Sequence, residues 1–479
     1  MSEENLKHKT KKGLLWKAFD TFANYGMQFV VGIVMARLLT PSDYGITALP
    51  AVFMAVAAVF IDSGFAQALI RKPELTEKDL STSFYYSLCV GIFLYAVLFF
   101  ASPFIADFYN QPVLTPLMRV TALTFLWGPL NTPQTVLLQR NINFKTPARI
   151  SIVNKIVGGV LGITAAYIGF GLWALVISTI TSSLLGIIQT WWAVKWLPKE
   201  RFSKESFRYL WNFGNKMIGV GLINTLYANI APIFLGKLGT PTDLGNYNRA
   251  KGYAALPSQN VTSILTSVSF PVLSKLQDND EVLARNYRRM IRVSSYVVFP
   301  VMLLLGALAR PLVITMLTSK WEACIYLLQI MCFIFMWQPI NILNLNLLQV
   351  KGRTDLTLRL EIIKKIVGFT VMIISVQYGV VFFCYADLVL NIFYLMVNTY
   401  YTGKLIGVGY FMQMRDILPT FLLSLTMFLC ILLLNLLIHS MILQIILGAI
   451  IGLGIYLGGT YLFKFDEIND VKYMLNRKK

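Results

Sequence analysis

Apolar runs of twenty or more residues alternate with short polar breaks along the whole of this chain. A hydrocarbon core about 30 Å thick takes about 20 helical residues to cross. Fourteen runs reach that length, at 14–39, 43–70, 80–106, 113–138, 149–169, 171–195, 209–236, 243–272, 287–308, 321–349, 356–378, 380–403, 416–437 and 441–463. Helix is the element expected for each, because lipid cannot satisfy an open backbone and no run alternates like a barrel strand. The run at 243–272 is the weakest, being rich in Asn, Ser and Thr. Polar residues 1–13 lead into the first run with no small-residue cleavage pattern, so that run is expected to be a retained span.

The breaks carry charge in a fixed rhythm. With the N-terminus placed in the cytoplasm, 31 of the 42 Lys and Arg fall in cytoplasmic loops and ends. Only Arg37, Lys237, Arg310 and Lys320 fall in outer loops. This bias holds for every alternate loop, which predicts an even number of spans with both termini inside. The outer loops are short, the longest about a dozen residues near 308–320, so no outer domain is expected.

Composition agrees with this pattern. Hydrophobic residues make up 56% and charged residues 14% of the 479, whereas soluble domains carry about 25% charged residues. The net charge of +19 then belongs to basic loops on one membrane face, not to a nucleic-acid footprint. Cys89, Cys324, Cys332, Cys384 and Cys430 all lie inside apolar runs without a CxxC, and there are two histidines, so neither a metal site nor another cofactor is expected.

One phrase occurs twice. ARLLTPSDYG at 36–45 and GKLGTPTDLG at 236–245 match at Leu38/Leu238, Thr40/Thr240, Pro41/Pro241, Asp43/Asp243 and Gly45/Gly245. Each threonine is a natural N-cap, each proline suits the first helical position, and each aspartate completes a capping box. A second pair, NKIVG at 154–158 and KKIVG at 364–368, is followed by IGFG at 168–171 and YGVV at 378–381. The expected architecture is an all-α integral membrane protein of about 14 transmembrane helices. Two pseudo-symmetric six-helix lobes, 1–200 and 201–404, precede a two-helix hairpin and basic cytoplasmic tail at 405–479. Because each lobe makes an even number of crossings, the repeats are parallel, a plan on which transporters alternate access.

The stretch MARLLTPSDYGITALPAVFMAVAAVFIDSGFAQALIRK at 35–72 resembles the first hairpin of Wzx-type polysaccharide flippases, within the multidrug/oligosaccharidyl-lipid/polysaccharide exporter superfamily. The resemblance continues through SPFIADFYNQPVL at 102–114, VLLQRNINFKTPARI at 136–150, LGNYNRAKGYAALPSQNV at 244–261 and SVSFPVLSKLQDN at 267–279. It implies a monomeric, multi-pass protein of the bacterial inner membrane that moves undecaprenyl-pyrophosphate-linked oligosaccharide from the cytoplasmic to the periplasmic leaflet. It also implies a sodium or proton gradient as one source of drive, and a polysaccharide polymerase and chain-length machinery as partners.

Seven cations lie inside spans: Arg119, Lys155, Lys216, Arg249, Lys251, Lys364 and Lys365. A charge at membrane depth is costly unless it faces water or a partner, so each is a candidate lining for a basic, anion-binding cleft. Lys155, Lys216, Lys364 and Lys365 are also near enough to the cytoplasmic ends of their spans to snorkel. The in-span acids are Asp20, Asp62, Glu361 and Asp387. Asp62 and Asp387 are candidates for ion coupling; the alternatives for Asp62 are to pair with a cation or to cap a kink with Ser63 and Gly64, and Asp387 has similar options. A drug exporter of the same superfamily would want an acidic interior. A membrane polymerase would need a catalytic acid, base or metal, for which no cluster exists, so the chain is not expected to be an enzyme.

Overall fold

The computed structural model describes residue 16, residues 23–62 and residues 64–468, the side chains of Asp62 and Val268 excepted. Among them helix occupies part of every expected span, and the runs at 113–138 and 321–349 are broken into shorter helices. The helices are α1 (23–38), α2 (Pro41–Asp62), α3 (Phe65–Arg71), α4 (Glu77–Tyr109), α5 (Leu114–Ala122), α6 (Thr124–Trp127), α7 (Thr132–Arg140), α8 (Lys145–Ile168), α9 (Trp173–Val194) and α10 (Lys204–Ala228). They continue as α11 (Ile230–Leu238), α12 (Pro241–Ser274), α13 (Asp280–Ala307), α14 (Ala309–Leu317), α15 (Glu322–Phe335), α16 (Gln338–Val350), α17 (Thr354–Val376), α18 (Val380–Ile406), α19 (Tyr410–Leu437) and α20 (Met441–Leu462). Among the described residues nine helical stretches are long and apolar enough to cross a membrane, and ten if α10 and α11, bent by 42°, are taken as one. The stretch at 308–320, expected as a loop, holds the short helix α14.

Local chemistry explains where the helices start and break. The Asp43 carboxylate accepts from the Thr40 amide at 2.9 Å and the Thr40 hydroxyl at 2.7 Å, and the Asp43 amide donates back to Thr40. Thr240 and Asp243 form the same box. A third, Thr76 with Asp79, opens α4. Gly64, at φ 69°, ends the long α2 stretch in a left-handed turn that a β-carbon would strain. Pro50, Pro257, Pro271 and Pro300 lie within helices, whereas Pro133 and Pro339 sit at helix starts, where no amide is lost.

Two helix breaks share a sequence. Phe-Leu-Trp-Gly-Pro-Leu-Asn at 125–131 and Phe-Met-Trp-Gln-Pro-Ile-Asn at 335–341 stand 210 residues apart, the offset of NKIVG and KKIVG. The first interrupts α6 and α7 with a 3₁₀ turn, and the second separates α15 from α16. Leu-Leu-Gln follows each, at 137–139 and 347–349.

The packing divides into two compact units, Met1–Gly245 and Asn246–Lys479. Within the first, Gly158 and Gly162 let α8 close on Ser178 and Ser182 of α9, the small-residue packing typical of membrane helices. An aromatic cluster of Phe65, Phe84, Tyr86, Trp191, Trp196, Phe207 and Trp211 gathers α3, α4, α9 and α10 at one end. The segment between α9 and α10 is fastened there. Trp196 donates to Glu77, the Glu200 amide to Ser81 and the Ser203 amide to Thr82.

Arg140 caps the end of α3. Its guanidinium donates to the carbonyls of Leu69, Lys72 and Pro73 at 2.5–3.0 Å. Hydrogen bonds from a charged donor contribute about 1.5–3 kcal/mol. Arg140→Ala is therefore expected to lower stability by about 2 kcal/mol, read as a drop in thermal midpoint in nanodiscs that Arg140→Lys only partly restores.

The second unit carries the terminal hairpin α19–α20. Arg288 grips Asp416 at 2.7 and 2.6 Å, and Arg292 meets Glu467 at 3.1 Å. Gln413, fully buried, exchanges hydrogen bonds with Asn344 and donates to Thr402 and the Val408 carbonyl. A buried amide with both ends satisfied fixes the register of α19 against α16 and α18.

Candidate functional site

The capped repeats meet. Both lie in the first unit, where the starts of α2 and α12 cross at Gly45 and Gly245. A β-carbon on Gly45 would stand 1.7 Å from the Pro241 carbonyl oxygen, and one on Gly245 would stand 1.9 Å from that of Pro41. Only glycine permits backbones this close. Each helix start brings the positive end of its dipole to the crossing, and Asp43 and Asp243 offset that charge.

The seven in-span cations are distributed over both units. In the first, half-buried Arg119 on α5 lies flat over the Phe99 ring, 4.1 Å from its centre, and its Nε donates to Ser102 Oγ at 3.1 Å. Lys155 is half-buried on α8, and Lys216 is exposed on α10. Asp62 ends α2 by its backbone; its side chain, like the whole of Asp20, lies outside the described residues.

The second unit brings several candidates together. Arg249 on α12 lies 5.4 Å from the Trp321 ring centre and 5.8 Å from that of Tyr253. Lys251, one turn from Tyr247, lies 5.7 Å from that ring. Tyr247 in turn packs edge-on against Phe383 of α18. Lys251 and Asp387 are each other's main charge partner, with the Cys384 thiol beside both. Asn391, one turn on, donates to Asp387 Oδ1 at 3.3 Å. One residue expected to bind anions and one expected to couple ions are thus both half-buried and within electrostatic reach of each other.

Lys364 on α17 has a partner in its own helix. Its ammonium reaches Glu361 at 2.5 Å and lies 5.9 Å from the Tyr394 ring centre, with only 8% of the residue exposed. Lys365 stands half-buried beside it. The aromatic and polar groups Tyr247, Tyr253, Trp321, Tyr394 and Asn391 are the site residues that charge counting misses. A sequence signal exists for part of the set, since Tyr247/Lys251 and Arg249/Tyr253 are spaced four apart in YNRAKGY, where helical side chains meet. No group of three metal-ligating side chains occurs among the described residues.

Residues 34–326 match a family described as polysaccharide biosynthesis protein. The teichuronic acid biosynthesis protein TuaB of Bacillus subtilis is 28% identical over 349 residues, 72% of each chain. The lipopolysaccharide biosynthesis protein WzxC of Escherichia coli is 25% identical over 379 residues, 78% of this chain and 76% of the relative. Among solved structures, the lipid II flippase MurJ in an inward closed conformation superposes with a TM-score of 0.75 at 16% identity, over 95% of this chain and all of that one. An inward-facing multidrug transporter of the MATE family reaches 0.58 at 16% identity, over 80% of this chain and 96% of that one. The fold is that of an all-α, multi-pass membrane protein, and with well over half its length matched, the chain belongs to the polysaccharide biosynthesis protein family.

Proposed function

We propose that this protein is a flippase. It carries undecaprenyl-pyrophosphate-linked oligosaccharide from the cytoplasmic to the periplasmic leaflet of a bacterial inner membrane, for cell-surface polysaccharide synthesis. The family match over residues 34–326 is the observation that carries this reading. The placement of charge supports it. Four in-span acids stand against seven in-span cations, and two of the four, Asp387 and Glu361, feel the charge of Lys251 and Lys364. Arg119, Lys155, Lys216, Arg249 and Lys365 add further in-span positive charge, which favours an anionic over a cationic passenger. The loop bias of 31 cations to 4 supports cytoplasmic termini. A monomer exposing its substrate to one face at a time, driven by a sodium or proton gradient and passing product to a polymerase and its chain-length partner, completes the reading.

Depletion of the protein tests it. Lipid-linked oligosaccharide is expected to collect in the cytoplasmic leaflet, shielded from a membrane-impermeant lectin added to spheroplasts, and surface polysaccharide is expected to fall at least ten-fold. Equal lectin labelling with and without the protein would refute the assignment.

A further inference from the structure

The two halves of the chain treat one region differently. In the first unit, α7, α8 and α9 and the 3₁₀ turn before α7 line an open cavity of about 370 Å³. Its wall includes Asn131, Ser151, Asn154, Ser182, Ser183 and Thr190, and none of its thirteen lining residues is charged. Two acceptors have no hydrogen-bond partner there: Asn131 Oδ1, and Asn154 Oδ1 on a residue only 7% exposed. Trp127 braces the wall by donating to Ser183 at 3.1 Å. Gly186 leaves room for the Asn154 amide, since a β-carbon there would stand 2.8 Å from Asn154 Nδ2.

The offset of 210 residues shows what the other half does at these positions. Ser151 and Asn154 correspond to Glu361 and Lys364, which neutralise one another. Ser182, Ser183, Gly186 and Thr190 correspond to Ile392, Phe393, Met396 and Tyr400. Asn131 corresponds to Asn341, whose carbonyl accepts from Asn398 at 2.9 Å; the position matching Asn398 is Ile188. Large side chains and an ion pair thus stand in one half at the positions of small hydroxyls and amides in the other, with Ile392, Met396 and Tyr400 exposed.

An unsatisfied carbonyl at membrane depth is costly, and both of these belong to residues of the cavity wall. Ligand pockets run from about 300 to 1,000 Å³ and are mostly apolar. This one is at the small end, and hydroxyls and amides make up much of its wall. We infer that it is a binding site for one neutral, hydroxyl-rich ring: the sugar portion of the lipid-linked substrate, not its phosphate. This rests on the flippase reading and adds the chemistry of the passenger's head. The helix halves that form it, the end of α7, the start of α8 and the end of α9, are those joined to the basic loops near 140–149 and 195–208, the side from which the substrate would enter.

Saturation-transfer NMR on the full chain in nanodiscs tests this, with a panel of neutral methyl hexosides and 6-deoxyhexosides as probes and inorganic pyrophosphate as competitor. At least one glycoside is expected to give a saturable signal that pyrophosphate leaves unchanged. Asn154→Leu, of similar volume but without the acceptor, is expected to reduce that signal at least five-fold. Gly186→Ala, which pushes the amide aside with a single methyl, is expected to do the same and serves if Asn154→Leu fails to fold. No saturable signal from any glycoside, or equal signals in wild type and variants, would mean that the cavity holds water only. The result is independent of the depletion assay: sugar binding with unchanged lectin labelling would sink the flippase reading and keep the site, and the reverse would sink the site alone.

Discussion

Gly45→Ala is expected to cut export of surface polysaccharide at least ten-fold, and Gly45→Val to abolish it. The reason is the crossing of α2 and α12. A β-carbon at Gly45 would overlap the Pro241 carbonyl at 1.7 Å, and backbone, unlike a flexible side chain, cannot swing aside. Overpacking a tight contact costs about 1–3 kcal/mol, and separating two capped helix starts belongs at the upper end. Gly245→Ala is expected to match it, because its contact with Pro41 is the mirror of the first. The double variant should be little worse than either single one, since a seam opened once accommodates both methyl groups and neighbours of this kind do not add. Thermal midpoints in nanodiscs and surface polysaccharide yield measure the two effects. Wild-type values for Gly45→Val would show that the helix starts do not depend on this contact.

The second large effect is expected at Asp387. Removing its carboxylate leaves the half-buried Lys251 ammonium beside Tyr247 and Cys384 without that opposite charge. Leaving one of two half-buried opposite charges unmatched costs less than the roughly 3–5 kcal/mol of a fully buried pair, while replacing both partners by apolar groups is often neutral. Asp387→Leu should therefore lower the thermal midpoint, and Lys251→Met together with Asp387→Leu should restore most of it. The cycle also separates structure from transport. If the double variant is stable yet exports nothing, the pair serves the passenger; if stability and export return together, the pair serves only to hold α12 against α18. Should Asp387→Leu leave the midpoint unchanged, the two charges are not coupled.

Much of the fold is written locally. The boxes at Thr40/Asp43 and Thr240/Asp243 need residues three apart, and the kink at Gly64 needs one glycine, so both are legible in the sequence. Loop charge is what leads to the expectation of an even count of crossings. The break at Trp127–Asn131 is hidden because a window of about twenty residues averages across it; only its twin at Trp337–Asn341 exposes it. The site was legible as a list of charges but not as an arrangement. Lys251 and Asp387 meet only through folding, so spacing treats them as separate candidates. The Glu361/Lys364 pair lies within reach of helical spacing, yet hydropathy gives no sign of whether a lysine snorkels or finds a neighbour. The cavity was out of reach, since an absence of bulk at Ser182, Ser183 and Gly186 means something only beside Ile392, Phe393 and Met396.

The fastened segment between α9 and α10 has a mechanical consequence. Three hydrogen bonds to the first turns of α4 and a layer of aromatic rings deny it slack, so it behaves as a bracket and not as a swivel. Any bending within the first unit is then expected downstream, at the 42° elbow where Asn229 joins α10 to α11. Stiffening that elbow, and not shortening the bracket, is the way to arrest the motion.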